Sequence, residues 1–581
     1  MKRIFVSLLT SLLSFLAILI YGKIIFEESS YSIILTLLYL SILYWYYKND
    51  VKYDKKTKYY SLILSIIISL ILSVGSIVSS YLYEPAINIF VIKNIIYCII
   101  SIVGFSILFY KFFCILFKKS INLSLIEKHN KMSAKQFLFI IGVIILSYSL
   151  YFVRYYPAIM TPDSYYVIHY SNNFILSDFH TFGHTWFFGI FFHLGKFLFN
   201  NINMAVAFSM VVQMTCMALI FSSAIRFLYN NGLKKSICII ILLFYTLNPL
   251  HAHYSITLWR DVMFGGSFVI ILISLYAFVS SKEKIKVRYI LLFITGILMM
   301  LFFRNNGIYV YLFMIPFMII VLKKKRLLIS ILCFAIACFY FVIKGPIFDY
   351  FNIQKTTSVE AFSIPLQQMA RVVASGREVS GNDREYLEKL FDYDKITTSY
   401  KNCISDPIKN ITNNEILSND KGSFFKTYIS LFLKHPNVYV EAYFLQTLGY
   451  WYPDVIYWAT AGESQSIFKE ENVYSDPLTS EWYNNIIDIT TSRKIPLCNI
   501  IWSVALSFIL LLISSFVMVY RGNKKYLLCY VPLYGLWLSI VVATPVFCEL
   551  RYVYGLFTCV PVVMALPFII NRKYVKESKN D

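Results

Sequence analysis

Apolar runs recur along the chain at lengths set by the thickness of a bilayer. They occupy 4–21, 31–47, 60–82, 90–110, 137–155, 204–229, 236–250, 262–280, 289–303, 307–322, 327–343, 497–520, 526–545 and 552–570, and most approach the ~17–25 residues that carry a helix across the hydrocarbon core. The pattern predicts an all-α polytopic membrane protein with about 14 transmembrane helices. Polar residues punctuate the runs in strict alternation. With Lys2 and Arg3 ahead of the first run, every second connection is basic: Lys48 to Lys58, Lys118 to Lys135, Lys234 and Lys235, Lys282 to Arg288, Lys323 to Arg326, Arg521 to Lys525, and Arg572 to Lys579. Short loops that keep Lys and Arg stay in the cytoplasm, so the other connections face outward.

Two runs, 236–250 and 289–303, are only about fifteen residues long. The first leads into Asn248-Pro249-Leu250-His251-Ala252-His253 and Trp259-Arg260-Asp261, the second into Arg304-Asn305-Asn306-Gly307. Helices that stop beside polar backbone are tolerated where they line a wet cavity; ordinary loops with displaced boundaries give the same pattern. The first run also resembles a signal peptide, but no small-residue cleavage site follows near Gly22. Between the fifth and sixth runs, Trp186 to Phe199 is apolar and aromatic yet too short to span, which predicts helices lying in the membrane interface.

The chain divides accordingly. Residues 1–136 form a four-span extension; 137–343 form a transmembrane core whose first outward loop is 156–203; 344–496 form a large extracytoplasmic insertion with amphipathic helices at Phe424 to Leu433 and Val440 to Leu448; and 497–581 hold three spans and a basic tail. Composition agrees. Hydrophobic residues make up 58% and charged residues 15%, against about a quarter charged in soluble domains. Lys and Arg number 53 against 32 Asp and Glu, a net +21, which on a soluble chain would point to nucleic acid. Here the charge sits in the alternate loops and reports sidedness, with no nucleic-acid partner implied. Eleven cysteines are scattered without metal or disulfide spacing.

Candidate chemistry collects on the outward side, where six of the eight histidines fall between 169 and 253. Asp163, within Pro162-Asp163-Ser164, is a carboxylate at the membrane surface, suited to taking a proton from a hydroxyl acceptor when an electrophile arrives laterally from the lipid; its aromatic surroundings would desolvate it. A plain helix cap would use the same residues. Ser164, Asp178, His180 and His184 are candidates for holding an acceptor. His180 and His184, spaced i, i+4 beside Asp178, could also hold a divalent metal, the one cofactor the sequence points toward, although Gly183 weakens that helix face. Arg260, Arg304 and Arg551, each at the outer end of a run, could bind a lipid phosphate bidentately, or merely snorkel or pair with Asp261 and Glu549. Arg154 is a weaker fourth. Asp392-Tyr393-Asp394 has the D-x-D form used for metal-bound nucleotide sugars, a weak signal in an acid-rich loop.

The order of these pieces resembles bacterial multipass proteins similar to membrane glycosyltransferases of the GT-C class. The matching segments are Pro162-Asp163-Ser164; Asp178-Phe179-His180 with His184-Thr185; Leu258 to Phe264; Arg304-Asn305-Asn306-Gly307; Ile364 to Arg371; Gly449-Tyr450-Trp451-Tyr452-Pro453; and Glu549-Leu550-Arg551-Tyr552. They extend from about 140 to 570 and leave the first four runs outside. The resemblance implies a GT-C-like fold with one or two interfacial helices after the first outward loop. It also implies a polyprenyl-phosphate-linked sugar as donor, a cell-surface glycan or lipid as acceptor, and Asp163 as the base for transfer in a bacterial cell membrane with the site facing outside. Where the family often reads His-Pro, this chain has His180-Thr181-Phe182, so the acceptor turn does not carry over. Two further classes stay in view: a polymerase or ligase of lipid-linked glycans, and a polysaccharide or lipid transporter, which would usually place ionisable groups mid-span.

Overall fold

In lipid a backbone satisfies its own polar groups by coiling into helix or closing a barrel, and this chain coils. The computed structural model describes residues 2–22, 41, 43–44, 46–48, 52–84, 88–178, 181–282, 284–455, 457–458, 471–491 and 502–570. Among them, paired extended chain is limited to isolated bridges. Among the described residues, eight helices are long and apolar enough to cross a membrane, nine if one bent pair is counted as a single span, and four shorter apolar helices accompany them. The protein is a multi-pass helical membrane protein. The predicted run at 31–47 lies largely outside the described residues; each of the other thirteen runs falls on a helix.

The helices that position the site are α1 (Lys2–Gly22), α2 (Lys55–Ser79), α3 (Ile92–Asn122), α4 (Ala134–Arg154), α5 (Pro162–Asn172), α6 (Phe182–Phe199), α7 (Ile202–Asn230), α8 (Lys235–Leu247), α9 (Pro249–Ser255), α10 (Arg260–Ser280), α11 (Val287–Phe303), α12 (Gly307–Val321) and α13 (Arg326–Val342). They are followed by α14 (Ser363–Ala374), α15 (Lys421–Lys434), α16 (Pro436–Thr447), α17 (Glu481–Thr491), α18 (Val504–Tyr520), α19 (Val531–Ala543) and α20 (Tyr554–Ile569). Helix α10 is central, packed by α7, α11 and α20, and it presents no polar stripe to the outside. By contrast α4 and α13 keep exposed apolar faces, among them Leu138, Phe139, Leu327 and Phe334, as lipid-facing helices do.

Both short runs end abruptly for local reasons. Asn248 precedes Pro249, which disfavours helical backbone at the residue before it. Asn248 is extended, its side chain accepts the Leu250 N–H at 3.1 Å, and α9 departs from α8 at 55°. The carbonyls left open where α9 ends are met by Gln213, whose amide donates to the oxygens of Ser255 and Thr257 at 3.1 and 2.9 Å. The second run closes at Arg304-Asn305-Asn306 and reverses into α12 at Gly307, where a Cβ would stand 2.1 Å from the Met300 carbonyl oxygen. Only glycine admits that approach.

The segment predicted to lie in the interface is a helix four residues longer than expected, Phe182–Phe199, packed on α5 with Trp186 and Phe197 exposed. The insertion starts later than predicted: α13 runs on through a π-turn at Ile343–Ile347 to Phe348–Tyr350, since Pro346 lacks the N–H that a regular turn would use. Its core gathers Leu366, Met369, Leu387, Leu390, Phe424 and Leu431 from three short helices. The two predicted amphipathic helices are α15 and α16, and α15 buries Phe424 and Leu431 while leaving Phe425, Ile429 and Leu433 exposed. Through the centre runs a buried pair, Arg371 of α14 to Glu441 of α16 at 3.1 Å. Glu441 also accepts the Ile89 N–H at 2.7 Å, and Asn402 joins Arg371 at 2.7 Å to the Glu84 carbonyl at 2.6 Å. The loop between α2 and α3 is thereby built into the insertion.

Candidate functional site

The site forms where three stretches distant in sequence meet. The chain after α4 lies beside the chain before α10: the Ile159 N–H donates to the Ile256 oxygen at 3.0 Å and the Leu258 N–H to the Ile159 oxygen at 3.1 Å. Thr161 then caps α5, with Pro162 at the first helical position, where a missing N–H costs nothing. The cap is closed by Ser164, whose hydroxyl accepts the Thr161 N–H at 3.0 Å and donates to the Leu258 oxygen at 2.9 Å. Ser164 is fully buried, so its place is structural rather than in an acceptor site. The cap expectation and the catalytic one therefore fall on different residues of the same motif: Ser164 caps, and Asp163 points outward.

Asp163 meets Arg551, whose Nη1 donates to Oδ2 at 2.5 Å. The carboxylate side chain is 39% exposed, so it stands beside an arginine and in part toward solvent rather than behind the expected desolvating aromatic wall. The aromatics instead enclose the arginine: its guanidinium lies 5.2 Å from the Trp259 ring, 5.7 Å from Trp458 and 5.3 Å from Tyr552. Trp259 is itself fixed by its indole N–H donating to Thr161 at 2.7 Å. Arg304 stacks on the same Tyr552 at 4.4 Å and pairs with the buried Asp261, which sits in the first turn of α10 where a carboxylate is favoured. Two arginines and two carboxylates thus interleave about Trp259 and Tyr552.

Glu549, just before the turn that starts the last helix, is a third acid here, buried like Asp261. Its Oε1 lies 3.4 Å from Arg551 Nε, and burial pushes its carboxyl up to about 8, because Arg551 is shared with Asp163 and the nearby Asp261 opposes a further negative charge. A folded-state value raised above the unfolded one means the native protein binds the extra proton. The stabilisation is complete near pH 4.5 and is lost as pH rises through about 8. Thermal unfolding of the purified protein is expected to fall across that window, and Glu549→Gln is expected to flatten the slope; parallel slopes for both proteins would reject the assignment.

Two cavities share Arg260 as a wall. The smaller is lined by Asp163, His184 and Asp261. The larger, of about 700 Å³, takes Arg260, Arg304 and Lys344 on its charged side and Ile308, Leu312, Tyr340, Phe341 and Ile540 on its apolar side, between α12, α13 and α19. Arg260 and Arg304 therefore converge as the sequence predicted, whereas Arg551 stands one ring behind, holding Asp163. Asp178 lines the large cavity and pairs with Lys344; His184 lines the small one. The proposed metal face is thus divided at its two described members, and His180 lies outside the described residues. Among the described residues no cluster of three metal-ligating side chains occurs.

Arg154 belongs elsewhere, paired with Asp488 of α17 at 2.8 Å. Asp392 pairs with Lys395 on the surface of the insertion and lines neither cavity. Sequence reasoning missed Lys344 and the aromatic cage of Trp458 and Tyr552. The available signal for Lys344 was a cation with Gly345-Pro346 closing an apolar run.

A model of a family of unknown function, DUF6020, matches residues 147–581. No curated protein and no solved structure matches the chain.

Proposed function

The chain belongs to that family of unknown function, and we propose that it is a bacterial cell-membrane glycosyltransferase that moves a sugar from a polyprenyl-phosphate donor to a glycan or lipid acceptor outside the cell. One observation carries the reading: a half-exposed carboxylate, Asp163, stands one arginine away from a cavity with guanidinium groups on one wall and apolar helix faces on the other. A lipid phosphate needs both walls at once. Arg260 and Arg304 would take the phosphate and the groove between α12, α13 and α19 the prenyl chain, with sugar and acceptor meeting on the exposed side of Asp163. A phosphate is already a competent leaving group, so the chain has to position the donor, stabilise the departing charge and remove one proton. His184 would orient the acceptor beside Asp163, and the fourteen-span topology would place both outside.

A second reading is transfer of whole lipid-linked glycans. It is favoured by a cleft of about 570 Å³ in the insertion, lined by Asp383, Glu385, Lys389, Ser423, Thr427 and Lys434, polar side chains of the kind that hydrogen-bond a glycan. Product size separates the two. The test is a transfer assay with the full chain in nanodiscs, a panel of radiolabelled polyprenyl-phosphate sugars and envelope glycans as acceptors; no transfer from any polyprenyl-phosphate or -diphosphate donor would reject both.

Sidedness is tested independently. Ser164 is buried, so labels belong at Asn173 and Asn419, both exposed. Single cysteines there, in a background free of other accessible thiols, are expected to react with an impermeant reagent on intact cells. Reaction of Asn173→Cys only after permeabilisation would place the site inside.

A further inference from the structure

Each arginine or lysine whose partner lies at the site is matched to a carboxylate: Arg551 with Asp163, Arg304 with Asp261, Lys344 with Asp178. The third pair differs from the others. Both members line the large cavity, both are nearly buried at 12% and 11% exposure, and the cation sits on the π-turn that follows α13 rather than inside a regular helix. Its ammonium also donates to Asn305 Oδ1 at 3.0 Å. The same Asn305 holds the Asp178 carbonyl through its amide at 3.1 Å and Thr356 at 3.0 Å, so Asp178 keeps its place without help from the lysine. Tyr340 and Phe341, in the turn just before Lys344, belong to the apolar wall. A chain lying on that wall brings its phosphate to Lys344.

A buried pair of this kind gains little, because desolvation offsets most of the attraction. An incoming phosphate offers the ammonium the same charge and more acceptor oxygens, and a four-carbon stem lets the ammonium follow it. We propose that Lys344 binds the phosphate of the lipid carrier in competition with Asp178, which the arriving phosphate displaces into the cavity as a free carboxylate. The inference rests on the lipid-phosphate reading above and adds a residue and an exchange to it.

The sign of one substitution decides it. If Asp178 competes with the phosphate, Asp178→Asn tightens phosphate binding; if Asp178 merely props the lysine, the same change weakens it. The experiment measures binding of undecaprenyl phosphate to the full chain in nanodiscs by native mass spectrometry, with inorganic phosphate as the second probe. Because Lys344→Gln alone strands a buried carboxylate, the double variant Lys344→Gln/Asp178→Asn carries the loss-of-function arm, with its thermal unfolding measured alongside. The expected result is severalfold tighter lipid binding by Asp178→Asn, about tenfold or more weaker binding by the double variant, and much weaker binding of inorganic phosphate throughout. Wild-type-like binding by the double variant, or loss of binding by Asp178→Asn equal to that of the double, would overturn the exchange while leaving the donor class standing. If the native protein binds inorganic phosphate as well as the lipid, the ligand is a free anion and the carrier assignment falls. Absence of any binding of undecaprenyl phosphate by the native protein removes the donor reading and this inference together.

Discussion

Asp163→Asn is expected to reduce sugar transfer by roughly 10²- to 10⁴-fold, the range attributed to a positioned general base, while yield and thermal unfolding stay near those of the native protein. The second half of that expectation follows from the surroundings. Asparagine has the shape of aspartate, the side chain is 39% exposed, and the helix cap depends on Thr161 and Ser164 instead. Arg551 keeps its aromatic cage, and the Glu549 carboxyl beside it ionises more readily once Asp163 no longer opposes it, so the guanidinium retains a counter-charge. Initial rates for both proteins under saturating donor are the measurement. A variant with near-native rates would move the base to Glu549, the next carboxylate along the same arginine.

Loss of one member of the Arg371–Glu441 pair is expected to have the largest effect on stability. Both side chains are almost fully buried, at 2% and 4%, and removing one partner of such a pair leaves an uncompensated charge, a penalty of about 3–5 kcal/mol. Arg371→Met strands Glu441, whose other contact, the Ile89 N–H, cannot neutralise it. Thermal inactivation in detergent should therefore be far faster for Arg371→Met than for the native protein, and the double variant Arg371→Met/Glu441→Gln should recover much of the loss. Equal half-lives for the single variant and the native protein would mean that the pair is solvated in practice.

These two sites mark what a sequence can and cannot disclose. Helix positions are legible because the bilayer sets the run length and Lys and Arg mark the loops that stay behind; this carried thirteen of the predicted runs onto helices. The breaks at Asn248-Pro249 and Gly307 are legible too, since proline and glycine act locally. The arginines at the run ends announce a charged layer, and two of three line one cavity. Which carboxylate each arginine holds is illegible: Asp163 and Arg551 are 388 residues apart and Lys344 and Asp178 are 166 apart, and no periodicity links such positions. The role of Ser164 was hidden for a related reason, because its partner is the Leu258 carbonyl, a backbone group that any residue could supply.

The span of 388 residues between Asp163 and its arginine also has a meaning in time. At about 5–20 residues per second of synthesis, roughly 20–80 s separate the appearance of the carboxylate from that of the guanidinium that holds it. Through that interval Asp163, Asp261 and Arg304 have all been made, yet Trp259 lacks the cation it will cage. Arg551 arrives just before α20, so the last helix to be made brings the guanidinium that the Asp163 side chain meets. A chain that stops before residue 551 holds Asp163 and Trp259 without the arginine that joins them.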